Sequence, residues 1–395
     1  MKHKLFPVLF LLLFFTAIYL VPAYWTFVEK NEEITSIEEQ RVLQPIPQLD
    51  LKDLDVSRDY SLVDNLTGII EAFVSNGFQQ KLQAGLSDRF PFRLFFLKAS
   101  RWLDRQMIGL AYLFTNDPAF PADSQTDIEV MADRLRLIRM PTPYDGSLVD
   151  RIDSALQNYA DLIQKYPDVN FYVFYIQEVW DSEFHPLSPY FKTADNGRSI
   201  RYFEQNMPQG LSLGKYTFTS FEDMRWFFKT DHHWTIRGAC RGYGMIYPLL
   251  AANYPQITPK VDCDQYMVVP GVKFRGSSAR NALYPMQPEE IEVSIAQLPE
   301  HKILVDGVES KYIHLEGYLK GNYSTEPYFD HYRMLFGSFN KRVEYIFPGS
   351  PDRSLLILGS SYRTPVQPFI ASHYRHTYVI DLRFEEGFSL GAFLQ

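Results

Sequence analysis

The most continuous apolar pattern in the chain lies at its start. Lys2 and Lys4 precede a run from Leu5 to Trp25 that holds no charged residue, and about 20 apolar residues are enough to cross a bilayer as a helix. The run ends in LVPAYWTFVEK, a poor match to the small-x-small site of a cleaved signal peptide. The pattern therefore favours an uncleaved membrane anchor over residues 1–25 rather than a cleaved signal. The positive start predicts that the bulk of the chain is extracytoplasmic.

Two segments of different pattern follow the predicted anchor. Residues 26–57 are acidic and polar with two prolines, which is typical of a stalk. Across residues 58–115, apolar positions recur mostly every three to five residues, as from Leu62 to Leu86, and this spacing predicts amphipathic helices. Pro91, in DRFPFR, interrupts the pattern because proline lacks an amide donor and restricts the residue before it. We expect an N-terminal helical region that is broken near this proline.

Residues 116–395 alternate between helical and strand patterns. The run VNFYVFYI is apolar at nearly every position and rich in aromatic and β-branched residues, as a strand buried on both faces would be. Buried strands separated by helices predict an α/β domain with a mainly parallel sheet flanked by helices, whose active groups lie at the carboxyl ends of strands. The predicted helices are Leu148–Tyr166, Thr235–Ala252 and Thr364–Tyr374, and the predicted strands are Val169–Ile176, Ser354–Leu358 and Tyr378–Leu382.

Composition narrows the function without choosing one. With 395 residues that are 46% hydrophobic, the chain can bury a large core. The net charge of −8 and the lack of a dense Lys/Arg run argue against binding to nucleic acid. Cys240 and Cys263 fit no zinc motif, and an extracytoplasmic location permits a disulfide without requiring one. The sequence predicts no cofactor.

The segment LLILGSSYRTP places Ser361 where a nucleophile would be well held. A buried strand ends at Leu358, Gly359 makes the turn, and a helical segment begins shortly afterwards. The strand fixes the backbone, and a helix start offers N–H groups to a developing oxyanion. The alternative is purely structural, because a serine before a helix often only caps it.

The segment FFKTDHHWT supplies a base for such a serine. In extended backbone, Asp231 and His233 point to the same side, with His232 opposite. A serine hydroxyl needs a base, and the base needs a carboxylate that orients it and stabilises its cation. The spacing therefore predicts that His233 activates Ser361 and that Asp231 holds His233.

Two other interpretations of this segment stay open. In the first, Asp231 or Thr235 serves only as a helix cap. Alternatively, Asp231, His232 and His233 bind a metal, for which a further ligand such as His185 is needed. We rank the metal site below the acid–base pair and predict no metal.

Several stretches in order resemble the DHHW proteins of Gram-positive bacteria. More distantly, the chain is similar to the alginate O-acetylation proteins, which carry a circularly permuted SGNH-hydrolase domain. The resemblance implies an SGNH-hydrolase-like fold and a triad of Ser361, His233 and Asp231 in the permuted order. The aspartate that usually precedes the nucleophile is replaced by Ser360. The matching stretches are DRFPFR (88–93), FFKTDHHWTIRGA (227–239), FRGSSAR (274–280), GSSYRTPVQPFIASHY (359–374) and VIDLRF (379–384).

The resemblance also suggests residues around the nucleophile. Gly276 and Asn281 are the candidates for oxyanion donors, beside the amide of Ser361 itself. Tyr362 and Arg383 lie at strand ends and either face the substrate or serve as a core tyrosine and a surface ion pair. Trp234 is either a platform for a sugar ring or a packing residue.

The function implied is that of a membrane-anchored serine acyltransferase or esterase. Its substrate would be O-acyl groups on a carbohydrate of the cell envelope or of an exported polysaccharide, and a membrane-bound O-acyltransferase would be its partner. The alternative is a catalytically decayed binding or scaffold protein of a polysaccharide system. The Ser360 departure favours that alternative.

Overall fold

A computed structural model gives the fold of the chain in two compact units, Met1–Gln106 and Met107–Gln395. The predicted anchor at residues 1–25 lies outside the described residues, as does part of the predicted stalk. None of the described helices combines the length and apolarity needed to span a bilayer. The structure describes residues 34–39, 41–46, 76–115, 128–130, 136–184, 193–283, 286–310, 315–337, 342–385 and 387–394.

The first unit contains a short hairpin and helical structure. Within the predicted stalk, the strands β1 (Ile34–Ser36) and β2 (Arg41–Leu43) pair antiparallel. Asp88, at the end of the first helix, accepts two hydrogen bonds from the Arg41 guanidinium at 2.7 and 2.5 Å. These bonds hold the pKa of Asp88 below its usual value although burial raises it. The aspartate of the DRFPFR stretch therefore ties the helix to the hairpin.

Two of the three predicted helices of the second unit are found within about two residues of their predicted bounds, whereas the helix predicted over 364–374 is found only at 367–371. The predicted helix 148–166 is found at 146–165, and its N-cap Asp145 accepts a hydrogen bond from the amide of Leu148 at 3.0 Å. The helices are α1 (Asn76–Asp88), α2 (Arg93–Thr115), α3 (Gly146–Lys165), α4 (Arg198–Asn206), α5 (Ile236–Asn253), α6 (Ser277–Ala282), α7 (Leu315–Leu319), α8 (His331–Phe336), α9 (Gln367–Ala371) and α10 (Leu390–Phe393).

The strands form several small sheets. The largest described sheet has five strands in the order Val308–Ser310, Lys302–Val305, Arg342–Ile346, His376–Ile380 and Ser354–Leu358. Another pairs Phe171–Ile176 with Leu211–Tyr216 in parallel. The strands are β1 (Ile34–Ser36), β2 (Arg41–Leu43), β3 (Ile128–Val130), β4 (Leu137–Arg139), β5 (Phe171–Ile176), β6 (Leu211–Tyr216), β7 (Tyr266–Phe274), β8 (Glu289–Ser294), β9 (Lys302–Val305), β10 (Val308–Ser310), β11 (Arg342–Ile346), β12 (Ser354–Leu358) and β13 (His376–Ile380).

The expectation of a mainly parallel sheet is wrong, although the fold is α/β. In the five-stranded sheet β12 and β13 are parallel, whereas the other neighbouring strands pair antiparallel. One cause is the turn between β9 and β10, where Asp306 and Gly307 both have positive φ, at 49° and 83°. Such a two-residue turn forces a tight antiparallel hairpin.

The core of the second unit surrounds α5, which contains three glycines. At Gly238, a Cβ would lie 2.3 Å from the Trp226 carbonyl oxygen. At Gly242, a Cβ would lie 2.6 Å from the fully buried Trp234 ring. Glycine at these two positions lets the helix approach its neighbours closely. Cys240 of α5 is paired with Cys263 as a disulfide, with the Cα atoms 5.9 Å apart.

Candidate active site

The loop that carries the two histidines is held at both ends. Phe227 and Trp234 form an antiparallel bridge across its base, and the amide of Phe228 donates to the His233 carbonyl at 3.0 Å. The Thr235 hydroxyl caps α5 by accepting from the amide of Gly238 at 3.2 Å. Thr235 therefore fulfils the cap role, which leaves the Asp231 carboxylate for another role.

Ser361 lies where the carboxyl end of β12 turns into a 3-10 helix, Ser361–Arg363. Its Oγ is 2.6 Å from His233 Nε2, and His233 Nδ1 is 2.5 Å from Asp231 Oδ1. The structure thus brings Asp231, His233 and Ser361 into one hydrogen-bonded chain, in the arrangement that nucleophilic serine chemistry requires. His233 and Asp231 are 8% and 5% exposed.

The surroundings of the Asp231–His233–Ser361 chain of hydrogen bonds favour an ionised Asp231. Burial raises the pKa of Asp231, but the electrostatic interactions with His233 and His232 and the hydrogen bonds from His233 outweigh it and hold that pKa well below its usual value. Asp231 Oδ1 also accepts from the His233 amide at 2.9 Å, and Oδ2 accepts from the Ser277 amide at 2.6 Å. Donors on both oxygens stabilise the carboxylate, so it can orient His233 and balance a positive imidazole.

Gly276 supports the aspartate from behind. A Cβ at this position would lie 2.2 Å from both Asp231 Cβ and Asp231 Oδ2, so only glycine fits. Its amide donates to Thr230 Oγ1 at 3.1 Å, and that hydroxyl donates to Glu289 Oε2 at 2.8 Å. The amide of Gly276 is therefore engaged in holding the loop, which corrects its expected role as an oxyanion donor.

The structure gives the positions of three other predicted residues. Trp234 is fully buried and packs on Gly242, so it is a packing residue and offers no face to a sugar. Asn281 is exposed in the last turn of α6. Arg383 makes an ion pair with Asp381 at 2.7 Å while remaining half exposed, as the surface ion-pair interpretation expected.

Tyr362, directly after Ser361, is 6% exposed and packs inside the site. Its ring lies 5.3 Å from the His233 ring and 5.8 Å from the Trp234 ring. Its hydroxyl lies 2.6 Å from Glu178 Oε2 and 2.5 Å from the His232 carbonyl oxygen. Tyr362 therefore links the segment of the nucleophile to the histidine loop.

His232 lies beside the Asp231–His233–Ser361 chain of hydrogen bonds and is held neutral. Burial lowers the pKa of His232 to about 3, although the Asp231 charge opposes this. Its Nδ1 is 2.7 Å from Ser277 Oγ. The ligand atoms of Asp231, His232 and His233 lie within 4.8 Å of one another, but a cation there would displace the bonds that join Asp231 to His233 and His233 to Ser361. The fourth residue considered for a metal, His185, lies outside the described residues.

Sequence reasoning missed a second group of residues at the site. Glu178 and Trp180 follow the carboxyl end of β5, and the Trp180 ring is 6.5 Å from the His232 ring. The Arg139 guanidinium lies 4.9 Å from the centre of the Trp180 ring. The sequence offered one signal for Glu178 and Trp180. They come directly after a buried strand, where the active groups of such folds lie.

Arg363 supports the Gly359–Ser360 turn, where the resemblance leads us to expect an aspartate at position 360. Its Nη1 donates to the Gly359 and Ser360 carbonyl oxygens, at 2.8 Å each, and lies 3.3 Å from Asp381 Oδ2. Asp381 directly follows β13, which pairs with β12, so the neighbouring strand end supplies the counter-charge. The Gly359–Ser360 turn is thus fixed from within the protein by a buried ion pair.

Comparison with known proteins supports the fold. PatB1 of Bacillus cereus is similar at 17% identity and a TM-score of 0.53, over 68% of this chain and 92% of that one. The same protein with a sulfonyl adduct gives 16% identity and a TM-score of 0.51, over 68% of this chain and 91% of that one. No family model and no curated protein matches the sequence.

The solved structures that are similar also include members of the groups that the motifs suggested. A DHHW family protein from Eubacterium siraeum has 16% identity and a TM-score of 0.46, over 66% of this chain and 84% of that one. Pseudomonas aeruginosa AlgX has 15% identity and a TM-score of 0.34, over 65% of this chain and 54% of that one. The two PatB1 structures, with TM-scores of 0.53 and 0.51, show that the chain is an α/β protein with a fold like that of PatB1.

Proposed function

We propose that the chain is a serine acyltransferase or esterase with an SGNH-hydrolase-like site, acting on O-acyl groups of a carbohydrate. The observation that carries the proposal is the unbroken chain from Ser361 Oγ to His233 Nε2, at 2.6 Å, and from His233 Nδ1 to Asp231 Oδ1, at 2.5 Å. The carbohydrate substrate rests on the motif resemblance, because a fold does not fix a substrate.

In the first half-reaction, His233 Nε2 takes the proton of Ser361 as Oγ attacks the acyl carbonyl carbon. The tetrahedral intermediate collapses, and His233 returns the proton to the departing alcohol oxygen, which leaves an acyl ester on Ser361. Asp231 keeps His233 in the tautomer whose Nε2 accepts the proton. The Ser361 amide begins the 3-10 turn, where an N–H has no acceptor within the turn, so we assign it as one oxyanion donor.

In the second half-reaction, His233 removes a proton from the acceptor hydroxyl, whose oxygen attacks the acyl ester. The bond to Ser361 Oγ then breaks, and His233 returns the proton to Oγ, which restores the free serine. A sugar hydroxyl as acceptor makes the protein a transferase, and water makes it an esterase. We further propose that it works at the extracytoplasmic face of the cell membrane, held by the predicted anchor, with a membrane-bound O-acyltransferase supplying the acyl group.

The test is covalent labelling with a serine-directed phosphonate, followed by intact mass. We expect one adduct on the wild-type chain and on Ser360→Ala, and none on Ser361→Ala. The adjacent serine is the matched control, because it occupies the same turn but makes no bond to His233. An adduct that survives Ser361→Ala would remove Ser361 as the nucleophile. A wild-type chain that stays unlabelled and hydrolyses no p-nitrophenyl acetate would favour the non-catalytic scaffold.

A further inference from the structure

The Tyr362 hydroxyl faces two oxygens and has one proton to give. Glu178 Oε2 lies at 2.6 Å and the His232 carbonyl oxygen at 2.5 Å. A carbonyl oxygen only accepts hydrogen bonds, and an ionised carboxylate also only accepts them. With Glu178 ionised, one of the two short contacts therefore has no hydrogen between its oxygens. Both contacts are satisfied when Glu178 carries a proton and donates it to the Tyr362 oxygen.

The surroundings of Glu178 favour the same protonation state. Burial raises the pKa of Glu178 to about 7, and the charges of Asp181 in the following turn and Asp231 in the histidine loop raise it further. The hydrogen bond from Tyr362 and the charge of Arg139 on β4 act in the opposite direction. If Tyr362 directs its proton to the His232 carbonyl, the Glu178 carboxylate loses that bond and its ionisation becomes less favourable still.

Tyr362 itself stays protonated throughout. Burial, together with the neighbouring charge of Glu178, raises the pKa of Tyr362 well above its usual value. The only proton that enters or leaves this pair near neutral pH is therefore the one on Glu178.

We infer that Glu178 works as a neutral carboxylic acid and is a positioning residue for the Asp231–His233–Ser361 chain. Its O–H donates to Tyr362, and the Tyr362 O–H donates to the His232 carbonyl. The first bond fixes the residue that follows the nucleophile, and the second fixes the backbone between Asp231 and His233. The protonation state follows from the two contacts alone, whereas the effect on reaction rate rests on the proposed function.

Ionisation of Glu178 breaks this arrangement. One proton then serves two acceptors, and the carboxylate draws the Tyr362 hydroxyl away from the His232 carbonyl. Losing one such hydrogen bond corresponds to roughly a fivefold change in an equilibrium that depends on it. The rate of Ser361 acylation should therefore fall about fivefold as the pH rises through about 7, the value given above for Glu178.

Infrared spectroscopy tests the protonation state without requiring any catalytic activity. The difference spectrum of the full-length wild type minus Glu178→Gln, recorded at pH 6, should contain the carbonyl stretch of a neutral carboxylic acid, and this band should vanish by pH 9. Glu183→Gln is the matched control, because this exposed glutamate lies five residues further along the chain (183 − 178) and should give no such band. Absence of the band in the wild type at pH 6 overturns the inference, even if Ser361 proves reactive.

The pH profile of phosphonate labelling tests the positioning role. Glu178→Gln keeps a permanent N–H donor and should lose the fall above pH 7, while Tyr362→Phe should be slower at every pH and also lack that fall. If the labelling rate of Glu178→Gln falls above pH 7 as it does in the wild type, Glu178 is not a positioning residue. If Ser361 is not labelled at all, the proposed function fails, and the infrared result still decides the state of Glu178.

Discussion

Tyr332 stacks face to face on His233, with ring centroids 4.1 Å apart and 12° between the ring planes. Tyr332 is 2% exposed, and its hydroxyl donates to the Ser361 carbonyl oxygen at 3.4 Å. A ring held against a fixed aromatic face cannot turn about its own bond without losing that contact. The stacking therefore keeps one nitrogen of His233 toward Asp231 and the other toward Ser361.

Tyr332→Ala should lower the rate of Ser361 labelling far more than Tyr332→Phe. Phenylalanine keeps the stacked ring and loses a long hydrogen bond, so we expect less than about a threefold change. Alanine removes the ring and leaves a cavity, which should destabilise the fold by about 3–5 kcal/mol and free His233 to rotate. Urea unfolding and labelling kinetics of the two variants measure these effects, and equal kinetics for the folded variants would contradict the role of stacking.

Asp231→Asn should be among the most damaging changes at the site. The amide has almost the same shape, but it is neutral and cannot balance a positive His233, and in either orientation its NH₂ group faces an N–H donor of His233 or Ser277 where a carboxylate oxygen now accepts. In a Ser-His-Asp triad this substitution lowers kcat roughly 10⁴-fold, and we expect a loss of that order in ester turnover. The measurement is p-nitrophenyl acetate hydrolysis, with phosphonate labelling as a second readout. Turnover within about tenfold of the wild type would show that Asp231 is not the orienting group.

Arg363→Lys should loosen the nucleophile turn, whereas Arg383→Lys should not. Both arginines contact the carboxylate of Asp381, but Arg363 is buried and also holds two carbonyl oxygens of the turn. A lysine cannot reproduce that geometry, and a buried pair with imperfect partners loses on the order of 3 kcal/mol. The exposed Arg383 pair is worth at most about 1 kcal/mol.

The measurement for this pair of variants is urea unfolding together with the rate of Ser361 labelling. We expect labelling to slow about tenfold in Arg363→Lys, because a mobile turn no longer holds Ser361 aligned with His233. Equal stability and labelling in the two variants would mean that the turn does not depend on Arg363.

The sequence was informative where local patterns decide the structure. Strand Ser354–Leu358 has the predicted bounds, and the helix predicted over 235–252 is found at 236–253. The alternation rule placed Asp231 and His233 on the same side, because it depends only on backbone geometry. The antiparallel hairpin at Asp306–Gly307 also has a recognisable local signal, the Asp-Gly pair between apolar residues in LVDGVES.

Other features depend on contacts between distant residues. A tryptophan beside two polar histidines has no local signal for burial, since the Trp234 ring packs on Gly242 of the following helix and against the distant Tyr216 and Tyr362. Gly276 is explained only by the Asp231 side chain behind it, 45 residues away (276 − 231). The raised pKa of Glu178 likewise arises from burial and from charges on separate segments. These properties require the three-dimensional structure.

Gly242→Ala should destabilise the fold, and Gly244→Ala should not. A Cβ at Gly242 would meet the buried Trp234 ring at 2.6 Å, whereas the nearest atom to a Cβ at Gly244 is the flexible Lys260 Nζ at 3.4 Å. Overpacking costs about 1–3 kcal/mol, but alanine in an open helical position gains up to about 1 kcal/mol over glycine. The free energy of unfolding measured in urea should therefore fall for Gly242→Ala and rise for Gly244→Ala, two changes half a helical turn apart. Equal shifts would contradict the close packing of α5.

Acid should destabilise the protein through His373, which is buried in neutral form. Its Nδ1 lies 2.6 Å from Thr258 Oγ1 and its Nε2 lies 2.7 Å from the Tyr243 hydroxyl. Burial lowers the pKa of His373 from 6.5 to about 4. Between these values the unfolded chain binds a proton that the folded chain does not, so stability is full above about pH 6.5 and is lost as the pH falls towards 4.

The size of this effect can be measured in one variant. The lowered pKa of His373 corresponds to a loss of at most about 3 kcal/mol in the free energy of unfolding between pH 7 and pH 4. His373→Gln keeps hydrogen-bonding groups but does not titrate, so its free energy of unfolding should be lower at pH 7 and should depend less steeply on pH below 6.5. Glu178 acts with the opposite sign, because its raised pKa makes stability fall as the pH rises towards 7, and the comparison is therefore made in the Glu178→Gln background. If His373→Gln has the same pH slope as its parent, His373 does not stay neutral in the folded protein.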